Sequence, residues 1–162
     1  GGVTLEYFVD EHGSLSAADV RYIGQKLCKA VEYLHELTPP WLYCDMKPEN
    51  ILVTGRPGKI EKVVLIDIDG GCPMRLDGLP PKESFGTRGY AAPEQLHPEG
   101  ALDFRVDVYG ICATLDTILH RHHLLSASHE KGLISVIEKG MSKDPKDRYF
   151  TVKELRKALK SA

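Results

Sequence analysis

The sequence predicts an α+β fold, mostly helical, in a single domain over residues 1–162. Three observations carry that expectation. Apolar residues recur at three- and four-residue steps from Val20 to Leu34, the period of a helix with one buried face. A second helical stretch, from Leu102 to about Leu119, is apolar on more than one face, as a helix buried on most sides would be. Between them, two short apolar runs flank a turn containing Gly55, Pro57 and Gly58, which reads as a β-hairpin.

The elements follow in order. Thr4 to Val9 is expected to be a short helix closed near Gly13. Ser16 precedes Ala17, Ala18 and Asp19, an N-cap hydroxyl with an acid in the first turn. The helix it opens carries Val20, Ile23, Gly24, Leu27, Cys28, Val31 and Leu34 and is expected to end near Leu37, stopped by Pro39-Pro40. Residues 41–50 have no regular period. Ile51–Val53 and Lys62–Asp67 supply the hairpin strands. Asp69 to Pro93 is a long stretch rich in Gly, Pro and charge; a loop of that length in one domain is usually functional. Two amphipathic helices, around Leu133–Lys139 and Val152–Leu159, finish the chain.

Composition excludes several classes. With 42% hydrophobic and 27% charged residues and a net charge of -2, nothing marks a nucleic-acid partner or an anionic membrane surface. No apolar run approaches the roughly 18 residues of a spanning helix, and no signal peptide is expected at the start. Cys28, Cys44, Cys72 and Cys112 form no C-x-x-C pair, so neither zinc nor dithiol redox chemistry is expected. Cys28 and Cys112 read as core residues, and a reducing, cytoplasmic setting fits.

The chemistry concentrates in Asp45-Met46-Lys47-Pro48-Glu49-Asn50. An acid, a base two residues on and an amide five residues on share one tight loop. Phosphoryl transfer asks for those groups: an acid to accept the proton of an attacking hydroxyl, an amide oxygen as a hard Mg²⁺ ligand, and a lysine to neutralise the moving phosphoryl group. Asp67 ends the hairpin, and folding the hairpin back brings its carboxylate beside Asn50, so that the two can share one Mg²⁺. Gly55-Arg56-Pro57-Gly58-Lys59 has the wrong spacing for a phosphate-binding loop and reads as a turn.

In these residues the chain resembles the protein kinase family, and in particular the C-terminal lobe of a Hanks-type serine/threonine kinase. Asp45 matches the catalytic aspartate, Asn50 the catalytic-loop asparagine, and Asp67, in Asp67-Ile68-Asp69, the aspartate of D-F-G. Gly86-Thr87-Arg88-Gly89-Tyr90-Ala91-Ala92-Pro93-Glu94 is similar to the end of an activation segment, with Ala92-Pro93-Glu94 as its A-P-E. Asp107-Val108-Tyr109-Gly110 resembles the buried helix that anchors the catalytic loop. Asp144-Pro145 with Arg148 resembles the site whose arginine pairs with the A-P-E glutamate. The resemblance implies Asp45 and Lys47 as catalytic groups, Lys47, Glu49, Asn50 and Asp67 on the side of the cofactor ATP, and Asn50 and Asp67 on Mg²⁺. It also implies that Thr87 meets Lys47 and that the substrate is a protein. Pro39-Pro40 resembles bacterial members.

The chain departs from the family at several points. No glycine-rich loop or strand lysine occurs within it, so the N-terminal, ATP-clamping lobe is expected to be supplied from upstream and the 162 residues alone to be inactive. Tyr43-Cys44 stands where the family has His-Arg, and Cys44 cannot meet an activation-segment phosphate; phosphorylation of Ser84 or Thr87 is therefore not expected to be required by that route. Asp69 stands at the glycine of D-F-G, leaving a second register with Asp69 as the metal ligand, while Gly70-Gly71 offers flexibility. His120, His122, His123 and His129 fall where members often place another helix; a polar loop fits better than a metal cluster. The alternatives are a non-catalytic pseudokinase or interaction module and, less well matched, a small-molecule phosphotransferase.

Overall fold

The computed structural model describes residues 2–13, 15–81, 83, 86–97, 99–120 and 130–162. Ser84 and three histidines of the expected polar loop, His122, His123 and His129, lie outside the described residues.

The chain opens on β1 (Val3–Thr4) and turns directly into α1 (Leu5–His12), with the Thr4 hydroxyl accepting from the Tyr7 amide as N-cap. Thr4 thus sits in a strand and a cap rather than inside the expected helix. Gly13 closes α1 at a φ of 77°, a conformation glycine takes without steric cost. Next, α2 (Ala17–His35) begins with the predicted Ser16 cap. The Ser16 hydroxyl accepts from the Asp19 amide at 3.1 Å, and Asp19 reaches back to Ser16, which satisfies two otherwise orphaned donors. Asp19 also accepts from the amide of Gly58, so the same carboxylate clips the hairpin turn to the helix. The helix ends at His35, two residues before the expected Leu37.

A short β2 (Trp41–Leu42) leads into the irregular loop, and a single turn, Pro48–Asn50, leads out of it. The hairpin is β3 (Ile51–Arg56) and β4 (Lys59–Leu65). It extends further toward its turn than the apolar runs suggested, because backbone pairing continues through polar residues to Arg56↔Lys59. At the other end Ile66 and Asp67 leave the strand. β1 adds to the hairpin in the order β1-β3-β4. β5 (Cys72–Pro73) pairs with β2, Leu42 opposite Cys72. Neither pairing was visible in the sequence, since two-residue strands carry no period.

The helical body is α3 (Pro93–Leu96), α4 (Arg105–His120), α5 (Lys131–Gly140) and α6 (Val152–Ser161). The predicted start of α4 at Leu102 is too early: the Asp103 carboxylate accepts from the Arg105 amide at 2.9 Å, and the helix begins there. α4 is buried on most sides, with Val108, Ile111, Cys112 and Leu115 fully inaccessible. The core joins α2, α4, α5 and α6 to Phe8 of α1 and Ile51 of β3. Cys28 and Cys112 belong to it.

Candidate active site

The irregular loop at 43–50 is held from below by one helix face. Asp107, Gly110 and Thr114 are three and four residues apart on α4, so they stack on one side of it. Asp107 is 1% exposed. Its Oδ1 accepts from the Cys44 amide at 2.8 Å, and its Oδ2 accepts from the Tyr43 amide at 2.9 Å and from His35 Nε2 at 2.8 Å. A Cβ on Gly110 would stand 3.0 Å from Met46 Cβ, so the loop rests on bare backbone there. The Thr114 hydroxyl donates to the Met46 carbonyl. Gln95 of α3 grips the loop from the far side: its Nε2 donates to the Cys44 carbonyl at 2.8 Å and its Oε1 accepts from the Ala92 amide. Sequence reasoning found Asp107 and Gly110 and missed His35, Gln95 and Thr114. The signal available for Thr114 was a polar residue seven positions after Asp107, flanked by Ala113 and Leu115.

On this base four predicted residues form one network. Asn50 Nδ2 donates to the Asp45 carbonyl and to Asp45 Oδ2, both at 3.0 Å. Lys47 Nζ lies 3.1 Å from Asp45 Oδ2 and donates to the Thr87 hydroxyl at 2.9 Å. That hydroxyl donates to Asp45 Oδ1 at 2.6 Å. Burial alone would raise the Asp45 carboxyl, but the donors Thr87, Lys47 and Asn50, with the lysine charge, outweigh it and hold the carboxyl below its ordinary value. Asp45 is therefore ionised at neutral pH.

Asp67 follows β4 directly. The Asn50 carbonyl accepts from the Ile66 amide at 3.0 Å, which ties the end of the hairpin to the loop. Asp67 is exposed and adopts φ 58°, ψ 64°, a left-handed conformation uncommon for a residue with a side chain and concentrated at functional sites. The buried Tyr43 phenol donates to the Ile66 carbonyl; burial, then the charges of Asp45, Asp67 and Asp107, push it up. Asp67 is thus within electrostatic reach of the group that also feels Asp45. Asp69 has no such backbone signature. Glu49 is exposed and takes no part in the network.

Gly70 and Gly71 permit close approach, a role distinct from the flexibility expected of them. A Cβ on Gly70 would be 3.1 Å from Asp45 Cβ, and one on Gly71 would be 2.4 Å from the Leu42 carbonyl oxygen. The turn after Asp67 therefore lies directly against the loop bearing Asp45.

Further out, Arg148 has a fully buried side chain. It binds both oxygens of Glu94, at 2.6 and 2.9 Å, and donates to the carbonyls of Ser142, Lys143 and Arg105. Ala92 is buried, and Pro93 opens α3 at its first turn. A cavity of about 430 Å³ beside this pair, lined by Pro93, Glu94, His97, Leu102, Arg105 and Pro145, is separate from the Asp45 network.

Cys44 and Cys72, far apart in sequence, bring their sulfurs to 4.0 Å. The hydrogen bond between them, then burial, pushes the Cys44 thiol up, while as its partner Cys72 is drawn down. Among the described residues no cluster of three or more His, Cys, Asp or Glu side chains is arranged to hold a metal, and no helix is long and apolar enough to cross a membrane.

Comparison with known proteins agrees with this geometry. The protein kinase domain family matches residues 1–161. Human beta-adrenergic receptor kinase 1 is 31% identical over 121 residues, covering 75% of this chain and 16% of that protein. Mouse myosin light chain kinase family member 4 is 30% identical over 115 residues, 68% of this chain and 27% of its own length. Rat myosin light chain kinase 3 is 32% identical over 115 residues, 68% and 13%. The chain thus spans less than a third of each of these relatives. A catalytic-type loop pinned to a buried helix, an acidic turn laid across it and a family match from end to end lead to one conclusion: this chain belongs to the protein kinase domain family.

Proposed function

We propose that the protein transfers the γ-phosphoryl group of ATP to serine or threonine hydroxyls of protein substrates. The observation that carries this is the closed circuit of Asp45, Lys47 and Thr87, with Asn50 bracing the aspartate.

Asp45 is the base that orients the attacking hydroxyl and takes its proton. Its Oδ2 already accepts from Asn50 and Lys47, whereas among the described residues Oδ1 accepts from Thr87 alone. A carboxylate oxygen has two lone pairs, so the open one is on Oδ1, where a substrate hydroxyl donates. The Asp45 side chain is 16% exposed, enough for a hydroxyl to reach it. Lys47 keeps a positive charge beside the position of the transferring group.

The donor set suits Mg²⁺. Asn50 spends its N–H donors on Asp45, which leaves its carbonyl oxygen as a hard ligand, and Asp67 presents an exposed carboxylate. Bound there with ATP, Mg²⁺ would neutralise phosphate charge. Asn50 and Asp67 are the residues that would hold it.

Cys44 is 4% exposed and carries no charge to meet a phosphate, and the Thr87 hydroxyl is occupied between Lys47 and Asp45. The protein therefore works with Thr87 unmodified.

The test is transfer of labelled γ-phosphate from MgATP to a serine- or threonine-bearing protein by the intact protein that contains this chain. Asp45→Asn should lower kcat by at least the roughly 10²–10⁴-fold that a positioned base contributes, with little change in KM for ATP. Undiminished transfer by that variant would defeat the proposal. Nucleotide binding without any transfer by the parent protein would favour a pseudokinase.

A further inference from the structure

We propose that Cys44 and Cys72 form a reversible disulfide that acts as an oxidant-responsive switch on the catalytic loop. The step of the proposal that concerns activity rests on the kinase function proposed above; the thiol chemistry does not.

The two sulfurs are 4.0 Å apart, and all four cysteines are thiols. The approach is built by backbone on both sides. Cys44 takes φ 64°, a left-handed conformation unusual for a residue with a Cβ. Its amide is fixed on Asp107 and its carbonyl on Gln95, so the direction of its side chain is set by groups that do not move with it. Cys72 is placed by the β2–β5 pairing, opposite Leu42. That pairing is only two residues long, so the Cys72 side is the one that yields. A disulfide needs sulfurs about 2.0 Å apart, a closure that a side-chain rotation and a small shift of β5 provide.

Accessibility gives the order of events. Cys72 is half-buried, whereas Cys44 is 4% exposed. A peroxide reaches Cys72 first. The Cys72 sulfur gives up its proton and attacks one peroxide oxygen; the S–O bond forms, the O–O bond breaks, and the second oxygen leaves as water. The Cys44 sulfur then attacks the Cys72 sulfenic acid; the S–S bond forms, the S–O bond breaks, and a second water leaves with the Cys44 proton. Two thiols and one peroxide yield one disulfide and two waters. A thiol reductant reverses the bond by exchange. Cys28 and Cys112, at 0% exposure, are out of reach and serve as internal controls.

The bond acts on function because Cys44 immediately precedes Asp45, while Cys72 opens the segment leading to Thr87. Drawing β5 toward residue 44 moves the adjoining Gly70–Gly71 turn, which packs on Asp45 and on the carbonyls of Leu42 and Tyr43, and so displaces Asp45 from Thr87 and Asn50.

The experiment treats the protein with a small molar excess of hydrogen peroxide, blocks remaining thiols with N-ethylmaleimide in denaturant, and maps the digest by mass spectrometry. Expected is a Cys44–Cys72 linked peptide, 2 Da lighter than the reduced pair, with Cys28 and Cys112 alkylated, and its disappearance with dithiothreitol. In Cys44→Ser, Cys72 should be trapped by dimedone as a sulfenic acid. Amide exchange of Tyr43 to Met46 should rise on oxidation in the unmodified protein and stay constant in Cys72→Ser. Phosphoryl transfer should fall several-fold on oxidation, recover on reduction, and be insensitive to peroxide in Cys72→Ser. Recovery of both cysteines as maleimide adducts after peroxide, or oxidation of Cys72 to sulfinic acid without a cross-link, overturns the pair. A cross-link that leaves both exchange and transfer unchanged overturns the switch.

Discussion

Replacing Asp107 with Asn tests the claim that a buried carboxylate on α4 holds the 43–50 loop in place. The carboxylate accepts three hydrogen bonds, two on Oδ2 and one on Oδ1. The best placement of an asparagine keeps its oxygen at the Oδ2 position and turns its NH₂ toward the Cys44 amide. Two charge-assisted bonds then become neutral ones, a loss of about 1 kcal/mol each, and one buried N–H loses its acceptor at about 2 kcal/mol. The sum is about 4 kcal/mol. For a domain of this size that is a fall in Tm of roughly 8–16 °C, or about 2 M in the urea midpoint with an m-value near 2 kcal/mol/M. Urea denaturation followed by circular dichroism measures it, and amide exchange localises it: Tyr43 and Cys44 should lose protection while the interior of α6 retains its own relative to global unfolding. A destabilisation under about 1 kcal/mol, with Tyr43 and Cys44 still protected, would refute the anchoring argument.

Three other outcomes follow from the same geometry. Arg148→Lys keeps the charge but cannot serve both Glu94 oxygens and three carbonyls; a loss of about 2–3 kcal/mol is expected, and thermal melting checks it. Thr87→Val removes a donor to Asp45, so the Asp45 carboxyl should titrate higher by NMR. Its folded value lies below the ordinary one, so its contribution to stability is complete above about pH 4 and fades as pH falls through the folded value; the variant should show a smaller contribution. Gly71→Ala places a Cβ against backbone at Leu42 and Tyr43 and should cost about 1–3 kcal/mol by overpacking, read as a lower urea midpoint.

Much of the fold was legible because its signals are local. Helical periodicity marked α2 and α4, the Ser16 cap sits three residues before its reciprocal partner, and apolar runs marked the hairpin. The site was legible for a related reason: Asp45, Lys47 and Asn50 lie within six residues, and one tight loop leaves few ways to arrange them. Element ends were less legible. β3 and β4 pair through polar residues and α4 starts at a side-chain cap, and neither feature has a hydrophobic period.

The linear order of residues determined the type of each long element and the chemistry gathered at 45–50. Contacts between segments far apart in the chain were decided only by the tertiary packing. Asp107 reaches Tyr43 and Cys44, Thr87 reaches Asp45, Arg148 reaches Glu94, and Cys72 comes to rest beside Cys44. Secondary-structure propensity acts over a few neighbouring residues. The pairing of a buried acid with two backbone amides, or of two thiols, is fixed by the burial of α4 beneath the loop and by a two-strand bridge that neither partner encodes alone.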